Sequence, residues 1–322
     1  MAGNAAGPGW PGALETRLAT ELRACMARYP RLFDAARFPD RPFMPIAGLA
    51  ARALAEGAPD CTIAQLRVPA RVSLWTLAAD AEITAGTSLP AILAMVRRCV
   101  AVAEGAAPAP GDQLGRFLAD VRADVLRAAT LHGAALPGAA PGRPRRLAAA
   151  WAEELRFMLH AMVREWEWRQ LRGVIAATSW ESGAAAPPIA PPVSLAAYLR
   201  NAGNMGTAWV NLTLWIAGGD GAALRELVQL RRVDGWIQQL LRLATDAVSY
   251  QPHSADQVNA LQLADRPAID ELAAALQARA RHELEVLAER CPRSVTYLSW
   301  LLDYATGRHG SVPNYRGEQH TG

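Results

Sequence analysis

Apolar residues recur at helical spacing through nearly the whole sequence, and this pattern constrains the fold more than any other feature. It is clear in LETRLATELRACMARY, in SLPAILAMVRRCVAVAE and in IDELAAALQARARHELEVLAERC. Apolar side chains three and four residues apart share one face of a helix, which must pack against another element. No segment shows the alternation or the tight turns of β-hairpins. The sequence therefore predicts an all-α fold.

Stretches rich in proline and glycine divide the helical segments. They occupy 105–113, 133–145 and 182–192, and their lengths are typical of loops between helices rather than linkers between domains. No internal repeat of solenoid period is present. We therefore expect one α domain over 14–315, preceded by a flexible N-terminus, 1–13, and followed by a flexible tail, 316–322.

Charge and apolar content exclude several classes of partner. All 33 basic residues are arginine, and they are scattered among 30 acidic residues for a net charge of +3, which is unlike a nucleic-acid-binding surface. The N-terminus lacks the basic start and apolar run of a secretory signal, and the longest apolar stretch, near 208–217, is too short to span a bilayer. The four cysteines form no Cys-x-x-Cys pair, so reduced thiols are expected. We predict a cytoplasmic protein without nucleic-acid or membrane partners, and a homodimer is left open.

The segment SLWTLAADAEITAG contains the first motif. Trp75 precedes Asp80 by five residues, and the segment resembles the Trp- or Phe-led stretch that runs into the Asp-Asp-x-x-Asp/Glu motif of bacterial class I terpene synthases. Asp80 occupies the first Asp position of that motif. Ala81 replaces the second Asp, Thr84 replaces the distal acid, and Glu82 is an added carboxylate.

Two further segments continue the resemblance in the same order along the chain. MVREWEWRQLRG followed by PPVSLAAYLRNAGNMG is similar to the family's E-x-x-W-R … P-S-x-x-E-Y-L-x-x-R passage, which places Arg200 at or next to the arginine that senses diphosphate. LRLATDAVSYQPHSADQVNALQL is similar to the second metal motif, Asn/Asp-Asp-x-x-Ser/Thr-x-x-x-Glu. Thr245, Ser249 and His253 stand where that motif has Asn, Ser and Glu.

The C-terminal segment TYLSWLLDYATGRHGSVPNYR resembles the family's closing helix and its Arg-Tyr pair. Tyr315 matches the tyrosine, whereas Asn314 replaces the arginine. The resemblance thus runs from about Tyr29 to Tyr315. It implies the single-domain class I terpenoid synthase helical bundle, with altered metal-binding motifs.

The resemblance also implies a reaction. A terpene cyclase would convert a linear isoprenoid diphosphate, C15 or C20, to a cyclic terpene through carbocations in an aromatic pocket. Arg200 and Tyr315 would contact the diphosphate, and Arg308 or Arg316 would replace the arginine lost at position 314. Asp80, with Thr245 and Ser249, would hold Mg²⁺, either as a reduced set of ions or not at all.

The residue types limit that metal site. Mg²⁺ prefers carboxylate, water and phosphate oxygens, and threonine and serine are weak neutral ligands. On a regular helix Asp80 and Thr84 share a face, whereas Glu82 points about 200° away from Asp80 and contributes only if the helix unwinds near Gly86. Pro252 is expected to end the second helix before His253, for which a structural role is the better interpretation. We therefore expect no ordinary magnesium site on the second wall.

Six aromatic residues fall on segments that line the pocket in the resembling family, and their π faces can stabilise a carbocation. They are Trp75, Trp209, Trp215, Tyr250, Trp300 and Tyr304. A mixture of core and pocket roles is expected, with Trp75 and Tyr304 as the leading pocket candidates.

Two alternative functions remain open. One is a metal-independent enzyme of the same fold that acts on a terpenoid without diphosphate, with Asp80 or Glu82 as general acid or base. The other is a catalytically silent protein that binds a terpenoid or a partner. Asp80 could also be an ordinary solvated acid at a helix end.

Overall fold

A computed structural model describes residues 12–34, 43–135, 142–181, 193–250 and 258–307. Over these ranges the chain forms twelve α-helices and no β-strand, so the predicted all-α fold class is confirmed. The helices are α1 (Ala13–Arg28), α2 (Phe43–Gly57), α3 (Ile63–Thr84), α4 (Leu89–Glu104), α5 (Gln113–Ala135), α6 (Arg143–Glu181), α7 (Leu195–Arg200), α8 (Thr207–Ala217), α9 (Gly221–Arg225), α10 (Leu227–Ser249), α11 (Arg266–Leu287) and α12 (Pro292–Ala305).

The helix α3 carries Asp80 and has a well-defined start. The Thr62 hydroxyl accepts the Gln65 N–H at 3.4 Å, and the Gln65 side-chain oxygen accepts the Thr62 N–H at 2.8 Å. This reciprocal capping satisfies two backbone donors that an uncapped helix would leave unpaired. The cap therefore fixes the residue at which α3 begins.

Three tryptophans form the centre of the core where α3, α6 and α8 meet. The ring of Trp209 lies 5.2 Å from the ring of Trp75 and 5.0 Å from that of Trp151. The Trp75 N–H donates to the Leu114 carbonyl at 3.0 Å, and the Trp151 N–H donates to the Thr213 hydroxyl at 2.9 Å. These edge and tilted contacts add to the burial of the rings and lock the three helices together.

The helices α7 and α8 are separated by a 3₁₀ turn, Ala202–Met205, and by Gly206. Gly206 has φ of +73°, and a Cβ built there would lie 2.4 Å from Thr76 Cγ2 and 3.1 Å from Met158 Sδ. Only glycine combines this left-handed backbone with so close an approach to α3 and α6. The turn is thereby held against the two helices.

Gly206→Ala is expected to lower the free energy of unfolding by about 1–3 kcal/mol, since it adds both backbone strain and a steric clash. Gly235→Ala is the matched control, because Gly235 lies within α10 and its added Cβ would meet no atom within 4 Å. The control should be neutral or stabilising. Chemical denaturation of both variants measures the difference, and equal stabilities would contradict the close packing at Gly206.

The structure also bears on two other predictions, the absence of a membrane-spanning helix and the reduced state of the cysteines. Within the described ranges, no helix is both long enough and apolar enough to cross a membrane. All four cysteines are unpaired, and Cys25, Cys99 and Cys291 are buried. The three buried thiols therefore contribute to the packing of the core.

Candidate active site

A cavity of about 270 Å³ lies between α2, α3, α6, α10 and α12, beside the turn that follows α7. Its volume is close to the lower end of the roughly 300–1,000 Å³ of small-molecule sites. Apolar side chains form much of the wall, among them Ala53, Leu54, Leu77, Met162, Met205, Val210, Leu241, Val258 and Leu301. Such a wall excludes water and favours a hydrocarbon ligand.

Aromatic side chains of α12 cover one side of the cavity. Tyr297, Trp300 and Tyr304 all line it, and the rings of Trp300 and Tyr304 stack with centroids 5.4 Å apart. Trp300 and Tyr304 were predicted to line a pocket, whereas Tyr297 was not singled out. The spacing of the three aromatics, i, i+3 and i+7, is that of one helix face and could have identified Tyr297.

Four of the six predicted pocket aromatics lie elsewhere. Trp75 and Trp209 are fully buried in the tryptophan cluster, Trp215 is 2% exposed, and none of them lines the cavity. The face of α3 that lines the cavity carries Ser73, Thr76, Leu77 and Asp80. Trp75 points away from it, towards Trp209 of α8 and the Leu114 carbonyl of α5. The expectation of a pocket role for these tryptophans is corrected to a role in the core. Tyr250, which follows α10, is 36% exposed and does not line the cavity either.

Asp80 and Glu82 lie on different sides of α3. Asp80 lines the cavity, and no hydrogen bond or ion pair joins its carboxylate to another described residue. Glu82 lies near α4 instead: burial raises the pKa of the Cys99 thiol there to about 12, and the negative charges of Asp112 and Glu82 add to that effect. The helix does not unwind before Thr84, so the expected catalytic position of Glu82 is corrected.

The second wall of the predicted site is the C-terminal part of α10. Thr245 and Ser249 both line the cavity, which therefore brings them to the same space as Asp80. The Thr245 hydroxyl donates to the Leu241 carbonyl at 2.9 Å, so its oxygen remains an acceptor. The helix ends at Ser249, before Pro252. His253 lies outside the described residues.

Mg²⁺ is the cofactor that the sequence resemblance implies. The oxygen ligands that line the cavity can be compared with those that Mg²⁺ prefers. Asp80 supplies one carboxylate, and Thr245 and Ser249 supply neutral hydroxyls. Among the residues that the structure describes, no group of three or more His, Cys, Asp or Glu side chains could hold a metal ion. One unpaired carboxylate and two hydroxyls do not fit a magnesium cluster.

The predicted diphosphate contacts are only partly within the described chain. Arg200 is the last residue of α7; it is exposed and does not line the cavity. Arg308, Tyr315 and Arg316 lie outside the described residues. Contacts of these four residues with a diphosphate therefore stay predictions.

A buried polar cluster on the cavity wall was missed by sequence reasoning. The Arg242 guanidinium is 2.5 Å from the Glu165 carboxylate, donates to the Asn204 side chain at 2.6 Å, and lies 3.7 Å from the centroid of the Tyr198 ring. The Tyr198 hydroxyl donates to Asp246 at 2.8 Å. All five side chains line the cavity. The cluster thus joins α6, α7 and α10 to the turn between α7 and α8.

The charges of this cluster are set by burial and by one another. Burial opposes the positive charge of Arg242, but the Glu165 carboxylate and the groups at Tyr198 and Asp246 outweigh it and raise the pKa of Arg242. Burial raises the pKa of Asp246 to about 6, against the lowering effects of Arg242, of the Ala260 N–H and of Tyr198. Arg242 is therefore a permanent cation within the wall, and Glu165 compensates it.

Asp234, behind the cavity on α10, is a second buried acid. Its Oδ1 accepts the Asn211 amide N–H at 2.7 Å, and Asn211 Oδ1 accepts the Tyr297 hydroxyl at 2.8 Å. Burial raises the pKa of Asp234 to about 7; the bond from Asn211 and the charge of Arg231 oppose this rise, and the charge of Glu154 adds to it. Near neutral pH this carboxyl is therefore partly protonated.

The raised pKa predicts a pH-dependent stability. A folded-state pKa above that of the unfolded chain stabilises at low pH, and the contribution is lost as pH rises towards the folded value. Relative to Asp234→Asn, the wild type should therefore lose stability from about pH 4, the ordinary aspartate value, to about pH 7, and then level off. Denaturation across this range measures both proteins, and parallel curves would contradict a raised pKa. Asp270→Asn, at an exposed acid of α11, is the control.

Comparisons with known proteins agree on the fold. No protein-family model matches the chain, and neither does any curated protein. Among the similar solved structures is a variant of cucumene synthase, with a TM-score of 0.62 and 15% identity over 96% of this chain and 98% of that one. Germacradien-4-ol synthase from Streptomyces citricolor has a TM-score of 0.59 and 13% identity over 95% of this chain and 94% of that one. Aristolochene synthase from Penicillium roqueforti has a TM-score of 0.56 and 14% identity over 96% of each chain. The chain has the class I terpene synthase fold.

Proposed function

We propose that the chain is a terpene cyclase, which folds a linear isoprenoid of 15 or 20 carbons in the cavity and converts it to a cyclic terpene through carbocations. One observation carries the proposal: the cavity combines the stacked Trp300–Tyr304 pair with the carboxylate of Asp80, which no described residue pairs. The fold supports it, because proteins named as terpene synthases share that fold over nearly the whole chain.

The apolar and aromatic side chains of the cavity suit both the folding of the substrate and the stabilisation of carbocations. Apolar side chains of α2, α3 and α10 hold the hydrocarbon in a compact conformation and exclude water, which would otherwise quench a cation early. The faces of Trp300 and Tyr304 offer π density to positive charge that develops near α12. The chain's own contribution is thus shape and electrostatic stabilisation.

The leading substrate is a linear isoprenoid diphosphate. Under this proposal Arg200 and Tyr315 contact the diphosphate, and Arg308 or Arg316 takes the place of the arginine absent at position 314. Guanidinium groups bind phosphate oxygens in pairs, which suits a leaving diphosphate.

A second candidate keeps the fold and changes the substrate to a terpenoid without diphosphate. The poor fit of the described donors to Mg²⁺ favours it, as does the position of Asp80. As a general acid, the Asp80 carboxyl would donate a proton to an alkene carbon, or to a hydroxyl oxygen whose C–O bond then breaks to release water. The resulting carboxylate would take a proton back from the product cation. This cycle restores the acid and needs no other reactant.

The test is incubation with geranyl, farnesyl and geranylgeranyl diphosphates, with and without Mg²⁺, and separately with the matching alcohols. Products are identified by gas chromatography and mass spectrometry, and inorganic diphosphate is measured. Cyclic products with diphosphate release support the leading candidate. Cyclic products from alcohols alone support the second, and binding without turnover of any substrate identifies a silent terpenoid-binding protein.

The aromatic wall gives a further expectation. Trp300→Leu keeps an apolar side chain but removes the π face, so cyclisation should slow by roughly 2- to 30-fold, the equivalent of about 0.5–2 kcal/mol. Trp236→Leu is the control, since Trp236 lies on α10 and does not line the cavity. Rates under substrate saturation measure the effect, and equal rates for the two variants would contradict a role for Trp300 in cation stabilisation.

A further inference from the structure

Tyr297 lines the cavity with its ring, and polar groups outside the cavity bind its hydroxyl. Its hydroxyl donates to Asn211 Oδ1 at 2.8 Å, and the Asn211 amide donates to Asp234 Oδ1 at 2.7 Å. These three residues, which we call the Tyr297 brace, join α12, α8 and α10. Asn211 is fully buried and Asp234 is 1% exposed. The brace therefore lies within the core and only the tyrosine reaches the cavity.

The ring of Tyr297 is also confined from the side. A Cβ built on Gly57, the last residue of α2, would lie 3.0 Å from Tyr297 Cδ2 and Cε2 and 2.9 Å from Trp300 Cε3. The backbone of α2 thus contacts the edges of both rings directly. Rotation of Tyr297 towards α2 is blocked, while rotation into the cavity is opposed by the loss of its buried hydrogen bond.

We propose that Asn211 and Asp234 are positioning residues that fix the ring of Tyr297, and that Tyr297 determines how an isoprenoid chain folds in the cavity. Because its hydroxyl is bonded to Asn211, the tyrosine presents ring carbons rather than a hydroxyl to the ligand. The part of this inference that concerns the ligand rests on the proposed function. The part that concerns the brace does not.

The brace links the ring to a buried acid whose charge can change. Asp234 Oδ2 has no hydrogen-bond partner among the described residues. The charged groups that act on Asp234 are Glu154 of α6 and Arg231 of α10, which are 2.5 Å apart and largely offset each other. Asn211 of α8 donates to Asp234, and Tyr297 of α12 is joined to it through Asn211. Ionisation of Asp234 strengthens its bond from the Asn211 amide, which polarises Asn211 Oδ1 and strengthens the bond from Tyr297.

The first experiment needs no substrate. Protein labelled with ¹³C at the hydroxyl-bearing ring carbon of tyrosine gives six resonances, and Tyr297→Phe identifies the one from Tyr297. We expect this resonance to shift with pH, with a midpoint near the value of about 7 for Asp234. The shift should be lost in Asp234→Asn. A resonance that does not titrate, or that titrates unchanged in Asp234→Asn, would overturn the brace.

The second experiment is a double-mutant cycle on the ratio of major to minor cyclic products. Tyr297→Phe keeps the ring but frees it, and loss of one hydrogen bond of ordinary net strength changes a ratio by about two- to tenfold. Asn211→Leu should shift the ratio in the same direction, and the double variant should add nothing further. Independent, additive shifts would overturn the claim that Asn211 acts through Tyr297.

Two outcomes, a variant that does not fold and the absence of turnover, call for a substitute measurement. If Asn211→Leu does not fold, as circular dichroism would show, Asp234→Asn replaces it in the cycle, because it retains the shape of the side chain. If no isoprenoid is turned over, the proposed function fails, and the cycle is read from the dissociation constant of a non-reacting farnesyl thiodiphosphate. Equal affinities of wild type and Tyr297→Phe would then overturn the role of Tyr297 in ligand fit.

Discussion

Asp80→Asn is expected to lower turnover by roughly 10²- to 10⁴-fold, the range over which a positioned acid or base contributes to catalysis. Asp80 is the one cavity carboxylate that no described residue pairs, whereas Glu165 and Asp246 are engaged in the polar cluster. The amide keeps the size of the side chain but can neither carry negative charge nor exchange a proton. Both candidate substrates therefore predict the loss, which steady-state rates on the identified substrate measure.

The fold of this variant should be unchanged. Asp80 is partly exposed and makes no hydrogen bond within the described chain, so its replacement should alter stability by less than about 0.5 kcal/mol. Glu82→Gln is the matched control: it neutralises an acid two residues away that faces α4, and we expect it to retain turnover. If Asp80→Asn retains full activity, both mechanisms are wrong and the reacting groups lie elsewhere in the cavity.

Local spacing was sufficient to predict the helical fold, but not which way each helix faces. Trp75 illustrates the limit, because it belongs to the same motif as Asp80 and yet faces the core. The sequence of α8, TAWVNLTLWIA, is apolar on nearly all sides, so its pattern cannot show whether Trp209 and Trp215 face the cavity or the core. Only packing against α3 and α6 decides this.

The polar part of the site could be predicted less well, since its contacts join distant segments. Glu165 and Arg242 are 77 residues apart in the sequence, and no local rule pairs them. A signal was nevertheless present. Glu165 begins the segment that resembles the E-x-x-W-R motif, and Asp246 stands at the second acid of the segment that resembles the Asn/Asp-Asp motif. In the structure both acids belong to the buried network with Arg242 and Tyr198.

Arg242→Met is expected to cost about 3–5 kcal/mol of unfolding free energy, because it leaves the Glu165 carboxylate buried without its counter-ion. The side chains of Arg242 and Glu165 are 4% and 9% exposed, so water cannot replace the lost partner. Arg52→Met is the control. Its ion pair with Glu56, 3.3 Å long and half-exposed, should contribute less than about 1 kcal/mol. Urea denaturation measures both.

The double variant Arg242→Met/Glu165→Met distinguishes two causes of the lost stability. One is the unpaired charge of Glu165, and the other is the loss of the contacts that Arg242 makes with the rest of the polar cluster. If the penalty arises from an unpaired buried charge, removal of both partners should restore most of the lost stability, since apolar residues of similar volume often replace a buried ion pair at little cost. The Asn204 side chain loses its donor in either variant, so a small residual loss is expected. A double variant as unstable as Arg242→Met would instead show that Arg242 stabilises mainly through Asn204 and Tyr198. In that case the guanidinium organises the turn between α7 and α8, and its charge balance with Glu165 is secondary.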